Sequence, residues 1–205
     1  MDDLASATTT TGGTRTWVTL AILAGWVSLV TVGMGALLAY SFGSANAATS
    51  SPTWPEDAAL PRSPGVPTLV VVLHPKCPCS RATVTELARL MTHARGPVTT
   101  HVLVVRPEGT REGWERTDLW RSSEAIPGVA VHVDPHGDLA ARFGARASGH
   151  ALLFDGNGAL LFSGGITSER GHEGDSAGQD AVLAALAHES SRSSSPVFGC
   201  PLRRP

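Results

Sequence analysis

The hydropathy pattern opens on a stretch that has no polar face. Residues 17–43, WVTLAILAGWVSLVTVGMGALLAYSFG, include no charged side chain. A soluble helix of that length would show a polar side, whereas crossing a bilayer takes roughly 20 apolar residues at 1.5 Å each. The pattern predicts one membrane-spanning helix, with Trp17 and Tyr40 at the headgroup levels that amphipathic rings favour. Beyond it the period changes. TLVVVL (68–73) is a continuous valine-rich run, as expected of a strand buried on both faces. Val84, Leu87, Ala88 and Met91 then fall at helical spacing, and Gly96-Pro97 ends that helix. VTTHVLVV (98–105) predicts a second strand, 113–122 a helix, VAVHV (129–133) a third strand and GDLAARFG (137–144) a short helix. HALLF and ALLFS flank Asp155-Gly156-Asn157-Gly158, a hairpin signal. A last helix runs from Ser176, in capping-box spacing with Gln179, to His188.

This order, β-α-β-α-β-α-β-β-α, predicts an α/β fold: a central mixed sheet flanked by helices, with the late hairpin adding antiparallel strands. Sites in such sheets lie beyond the carboxyl ends of the strands, which is where residues 74–80 fall. The chain divides into an N-terminal tail (1–16), the anchor (17–43), a Ser/Ala/Pro-rich flexible linker (44–67), the α/β domain (68–190) and a C-terminal tail (191–205). In that tail Val197 and Phe198 form a small apolar anchor beside Cys200. Arg15 precedes the span and the next cation is Arg62, so the positive-inside bias puts the N-terminus in the cytoplasm and the domain outside it. Ala47 ends an A-x-A sequence that a signal peptidase would accept. Signal h-regions run to only 7–15 residues, however, so an uncleaved anchor is expected.

Composition narrows the function. The chain has 205 residues, 17% charged, with a formal net charge of −2 and 5% aromatics. That excludes a nucleic-acid binder, which would want a basic surface or stacking platforms. Three cysteines are too few for a disulfide scaffold and suit a redox protein.

Two of them stand in HPKCPCSRATVTELARL (74–90), at the start of the first domain helix. Cys77 at the N-cap with Pro78 at N1 would have free N–H groups and the positive helix end to stabilise a thiolate, with Lys76 and Arg81 adding positive charge. Three readings stay open: a redox pair, a metal clip, or two thiols without chemistry. Cys79 can resolve a mixed disulfide on Cys77 only through a very small, strained ring. Cys200 is the second resolving candidate, because the tail is long enough to fold back. In the metal reading, Cys77, Cys79 and a histidine such as His150 or His172 would hold copper, which suits thiolate and imidazole ligands. His74 could assist a thiolate or a metal. His132, on an alternating strand, reads as structural.

The strand-cysteine-helix unit, VDPHGDLAARFGA and the DGNG hairpin together resemble the thioredoxin-like superfamily over residues 66–190. The nearest branch is the peroxiredoxin-like and membrane-tethered thiol-disulfide reductases. More narrowly, HPKCPCSRAT, SGGITSERGHEGDSAG and PVFGCPL resemble the RedB proteins. The usual C-x-x-C after Trp is here C-P-C-S after Lys76, which puts Cys77 in the first position and Ser80 in the resolving one. Gly149 stands at the usual cis-proline position, so His150 is expected to face the cysteines. The resemblance implies a membrane-anchored, periplasmic thiol-disulfide oxidoreductase without a cofactor, acting on protein thiols and disulfides, with a copper-handling protein as the alternative.

Overall fold

A computed structural model describes residues 11–44 and 50–202, with side chains from residue 15 onward. Residues 1–10 of the expected tail and the A-x-A sequence ending at Ala47 lie outside the described residues. The chain forms two compact units, residues 1–41 and 42–205.

The first unit is helix α1, Thr11–Phe42. Its segment Arg15–Phe42 contains an 18-residue stretch with a mean hydropathy of 2.0 and is long and apolar enough to cross a membrane.

The second unit is built on a five-stranded sheet: β1 (Thr68–Leu73), β2 (Thr99–Arg106), β3 (Val129–Pro135), β4 (His150–Phe154) and β5 (Leu160–Gly165). The order is β3-β2-β1-β4-β5. β1, β2 and β3 run parallel, while β4 is antiparallel to β1 and to β5. Helices α2 (Cys79–His93), α3 (Asp118–Glu124), α4 (Asp138–Arg142) and α5 (Ala177–Leu186) connect and cover the strands. The expected helix at 113–122 begins only at Asp118, after a run of turns. Ser176 caps α5 as expected, its Oγ accepting from the Gln179 N–H at 3.1 Å.

Because side chains alternate along a strand, the sheet has two apolar faces. Leu69, Val71 and Leu73 point to the face covered by Val84, Leu87 and Leu90 of α2 and Ala181, Val182 and Leu186 of α5. Val70 and Val72, with Leu152 and Phe154, point to the other. That second face corrects the expectation of a flexible linker at 44–67 over residues 50–67. α4 has only five residues and cannot cover the sheet alone, so Trp54, Ala58 and Leu60 complete the layer. The Trp54 ring meets Phe143 and Phe154 edge-on at 5.0 and 5.3 Å. The backbone N–H of Trp54 donates to Gly158 O at 2.8 Å. Pro61 O accepts from His101 Nε2 at 2.8 Å. His101 Nδ1 must then be the acceptor toward His132 Nε2, 2.9 Å away, which gives His132 its expected structural place.

Candidate active site

The carboxyl end of β1 delivers Cys77 through one tight turn. The Cys77 N–H donates to His74 O at 3.1 Å, and Ser80 and Arg81 N–H then donate to Cys77 O and Pro78 O. Pro78 already has helical angles, φ −58° and ψ −34°, and serves as the cap of α2. The cap therefore falls one residue later than the expected N-cap at Cys77, although Pro78 fills its expected place as the first residue with helical backbone.

The third cysteine arrives from the other end of the chain. Cys200 Sγ lies 3.0 Å from Cys77 Sγ, and the sulfurs of Cys77, Cys79 and Cys200 all lie within 4.8 Å of one another. The tail is held there by backbone. Ser148 N–H donates to Cys200 O and Leu202 N–H to Arg146 O, both at 2.9 Å, and Gly165 N–H donates to Pro196 O at 3.2 Å. Leu202 is buried in the second core layer, whereas the expected anchors Val197 and Phe198 are only half-buried. Three glycines give the tail room. A Cβ on Gly164 or Gly165 would strike the backbone of Ser195 or Pro196, and one on Gly199 would overlap Ser148 O.

Ser148 ties the two segments together. Its Oγ accepts from His74 N–H at 2.8 Å and lies 2.6 Å from Ser80 Oγ. Ser80, in the usual resolving position, is buried. Gly149 has φ +86°, and a Cβ there would press on Thr83 Oγ1 at 2.9 Å. A glycine thus makes the bend at this corner of the chain.

Arg170 is the cation of the site, and sequence reasoning missed it. Its guanidinium hydrogen-bonds Cys79, acts on the charge of Cys200 and donates through Nη1 to Gly199 O at 2.8 Å. The glycine-rich loop that carries it is pinned to α2. Gly174 N–H donates to buried Glu86 Oε1 at 2.8 Å, and Thr85 Oγ1 donates to Glu173 at 3.2 Å. The available signal was the RGHEGD motif itself, which drew attention to its histidine instead of its arginine.

Several expected participants stand elsewhere. Lys76 Nζ sits over the Trp114 ring, 4.4 Å from its centroid, because a flexible ammonium finds a cation–π partner there; it is Arg170 that lies against the sulfurs. His74 packs edge-on against the same Trp114 ring, and burial followed by the Lys76 charge lowers its pKa. His150 does not join the cysteines: buried on β4, its Nε2 pairs with Ser163 Oγ on β5 at 2.8 Å. Burial lowers its pKa to about 4. His172 is exposed and faces Glu169, Nδ1 to Oε1 at 3.4 Å. The copper set of Cys77, Cys79 and His172 is therefore not assembled. Among the described residues, the group able to gather three ligand atoms consists of the three cysteines.

The three thiols are electrostatically unequal. Burial pushes Cys77 up, but the Cys200 thiol and N–H, the Ser80 hydroxyl and the Cys79 N–H outweigh it, leaving Cys77 below the ordinary thiol value. Burial and then the Cys77 charge raise Cys79, against the opposing pull of Arg170. Burial, the hydrogen bond to Cys77 and the charges of both other cysteines push Cys200 up to about 12. Of the three, Cys77 is the thiol whose surroundings favour the thiolate, and the Cys200 thiol lies in contact with it. Beside Cys77 an open cleft of about 230 Å³ is lined by Pro75, Lys76, Pro78, Arg81, Thr117, Asp118 and Leu119. It leaves a side of the site open that the tail does not fill.

No family model matches the chain, and no curated protein matches it. Solved structures do. A hypothetical protein from Sinorhizobium meliloti 1021 aligns at 18% identity over 78% of this chain and 96% of its own, with a TM-score of 0.58. An uncharacterised conserved protein from Geobacillus kaustophilus aligns at 16% over 77% and 92%, TM-score 0.57. A secreted Mycobacterium tuberculosis disulfide oxidoreductase aligns at 15% over 61% and 83%, TM-score 0.43. At these identities the likeness extends to the fold alone. With a parallel βαβ unit, an antiparallel hairpin beside it, and helices on both faces of one sheet, the chain has a thioredoxin-like fold preceded by an apolar N-terminal helix.

Proposed function

We propose that this protein is a membrane-anchored, extracytoplasmic thiol-disulfide oxidoreductase in which Cys77 is the nucleophile and Cys200 the resolving thiol. The observation that carries this reading is the 3.0 Å contact between Cys77 and Cys200 sulfurs, about 1 Å beyond a disulfide bond. The Cys77 thiolate attacks one sulfur of a partner disulfide through the open cleft, and the partner's other sulfur leaves as a thiolate that takes up a proton. Cys200 then loses its proton and attacks the Cys77 sulfur. A Cys77–Cys200 disulfide forms and the partner departs as a dithiol, two electrons richer. An external dithiol resets the pair, and the same steps in reverse oxidise a partner. Cys79 could close on Cys77 only through a very small, strained ring, which makes it the weaker competitor for the resolving step.

Arg170 balances negative charge that passes between the sulfurs. The motifs HPKCPCSRAT and PVFGCPL support a protein of the RedB type, and α1, with Arg15 in its first turns ahead of the uncharged run, supports an anchor with the domain outside the cytoplasm. The test is a trap. In Cys200→Ser, membranes should accumulate a reducible mixed disulfide between Cys77 and a partner protein, visible as a mass shift on non-reducing gels. If Cys79→Ser traps partners and Cys200→Ser does not, the resolving roles are reversed and this reading is wrong.

A further inference from the structure

The three sulfurs form a site whose geometry suits more than exchange. We infer that, when reduced, Cys77, Cys79 and Cys200 bind one Cu(I) ion as a three-coordinate thiolate site. The inference uses the same thiols as the exchange reaction but does not depend on that reaction occurring.

The three sulfurs lie within 4.8 Å of one another, and bonds of about 2.3 Å in a trigonal array put sulfurs about 4 Å apart, so the Cys77–Cys200 pair, at 3.0 Å, opens by about 1 Å to take the ion. Two sulfurs come from the turn that opens α2 and the third from the tail. Backbone hydrogen bonds hold both segments, Ser80 N–H to Cys77 O at 3.1 Å and Ser148 N–H to Cys200 O at 2.9 Å. Cys77 and Cys79 are buried and Cys200 half-buried, so the site is largely formed and shielded before an ion arrives.

The choice of ion follows from the ligand set. Among the described residues, no histidine or carboxylate joins the three sulfurs within that radius. His150 is engaged with Ser163 and His172 with Glu169. A structural zinc site wants a fourth protein ligand, whereas soft thiolates select Cu(I). Arg170, beside Cys79 and Cys200, offsets part of the negative charge of three thiolates around a monovalent ion. Binding releases the protons the thiols carry and moves no electron. Forming the Cys77–Cys200 disulfide removes two electrons and two of the three ligands, so the disulfide form does not hold the ion. Bound copper and the disulfide exclude each other.

The test uses the full chain in detergent, reduced under anaerobic conditions and titrated with Cu(I) buffered by bicinchoninate. X-ray absorption of the loaded protein gives the ligand set. We expect one Cu(I) per chain with three sulfur neighbours and no nitrogen. Cys200→Ser should leave two sulfurs and lower affinity at least about tenfold. Gly199→Ala keeps all three thiols but crowds the tail against Ser148, and should lose affinity in the same way, which separates tail position from ligand chemistry. His150→Ala and His172→Ala should bind as the parent does. The inference is overturned if reduced protein does not bind, if copper has two sulfurs and Cys200→Ser changes nothing, or if a histidine variant loses the ion. Copper binding without any Cys77–Cys200 disulfide on oxidation would sustain this site and defeat the exchange reading; the converse result would do the opposite.

Discussion

Replacing Gly199 by alanine tests how Cys200 is delivered to Cys77. Gly199 is buried, and an added Cβ would overlap the carbonyl oxygen of Ser148. Both partners are backbone, and Ser148 is fixed by its N–H bond to Cys200 O and by its hydroxyl contacts with His74 and Ser80. Neither can rotate away, so the methyl must lift the tail. Overpacking of this kind costs about 1–3 kcal/mol, which divides the docked population by about 5 to 150. The resolving step should slow by the same factor, since Cys200 reacts from the docked position. The assay uses Cys79→Ser as background and a thiol-reactive aromatic disulfide as the partner. Cys77 attack releases one coloured thiolate quickly, and Cys200 attack on the adduct releases the second. Gly199→Ala should leave the first phase unchanged and slow the second by about 5- to 150-fold, while Ser191→Ala, on the exposed part of the tail, leaves both unchanged. If Gly199→Ala resolves at the parental rate while Cys200→Ser stops the second phase, docking of the tail does not deliver the thiol and the reasoning fails.

Two further predictions concern charge. Cys77 should alkylate with a pH midpoint below the ordinary thiol range, and Cys200→Ser should move that midpoint up, because the Cys200 hydrogen bonds are the chief influence lowering it; an unmoved midpoint contradicts the assignment. His150, neutral when folded with a pKa of about 4, takes up its proton in the unfolded chain near pH 6.5. The unfolded state therefore gains protons first as pH falls. His150 should cost nothing above pH 6.5 and remove about 3 kcal/mol of stability by pH 4. Chemical denaturation of the parent and of His150→Gln at both pH values checks this, the variant being expected to lose less; equal losses would show that His150 is not the group responsible.

The parts of this structure that local pattern governs were legible in the sequence. Valine-rich 68–73, the Val84/Leu87/Ala88/Met91 stripe, the DGNG turn and the Ser176 cap each act through neighbours in the chain, and each stands where the pattern put it. Residues 50–67 were not legible as part of the core, because their Ser/Pro content speaks of local freedom while their position is decided by a distant requirement. The second face of the sheet needs Trp54 and Leu60. The site divides in the same way. Cys77 at the helix start follows from the local motif, and Cys200 was foreseeable from the shortage of resolving thiols. Arg170 was not, since its place depends on Glu86 and Thr85 of α2 gripping a loop far along the chain. Lys76 and His150 were expected at the sulfurs on sequence proximity and fold position, but tertiary partners, Trp114 and Ser163, claim them.

The central claim is that the C-terminal cysteine completes the redox pair. Non-reducing peptide mapping of the mildly oxidised full chain in detergent tests it most directly. The account predicts Cys77 joined to Cys200, with Cys79 free to alkylate. Cys77 joined only to Cys79, with Cys200 free in every redox state, would contradict it and leave the C-P-C pair to work alone.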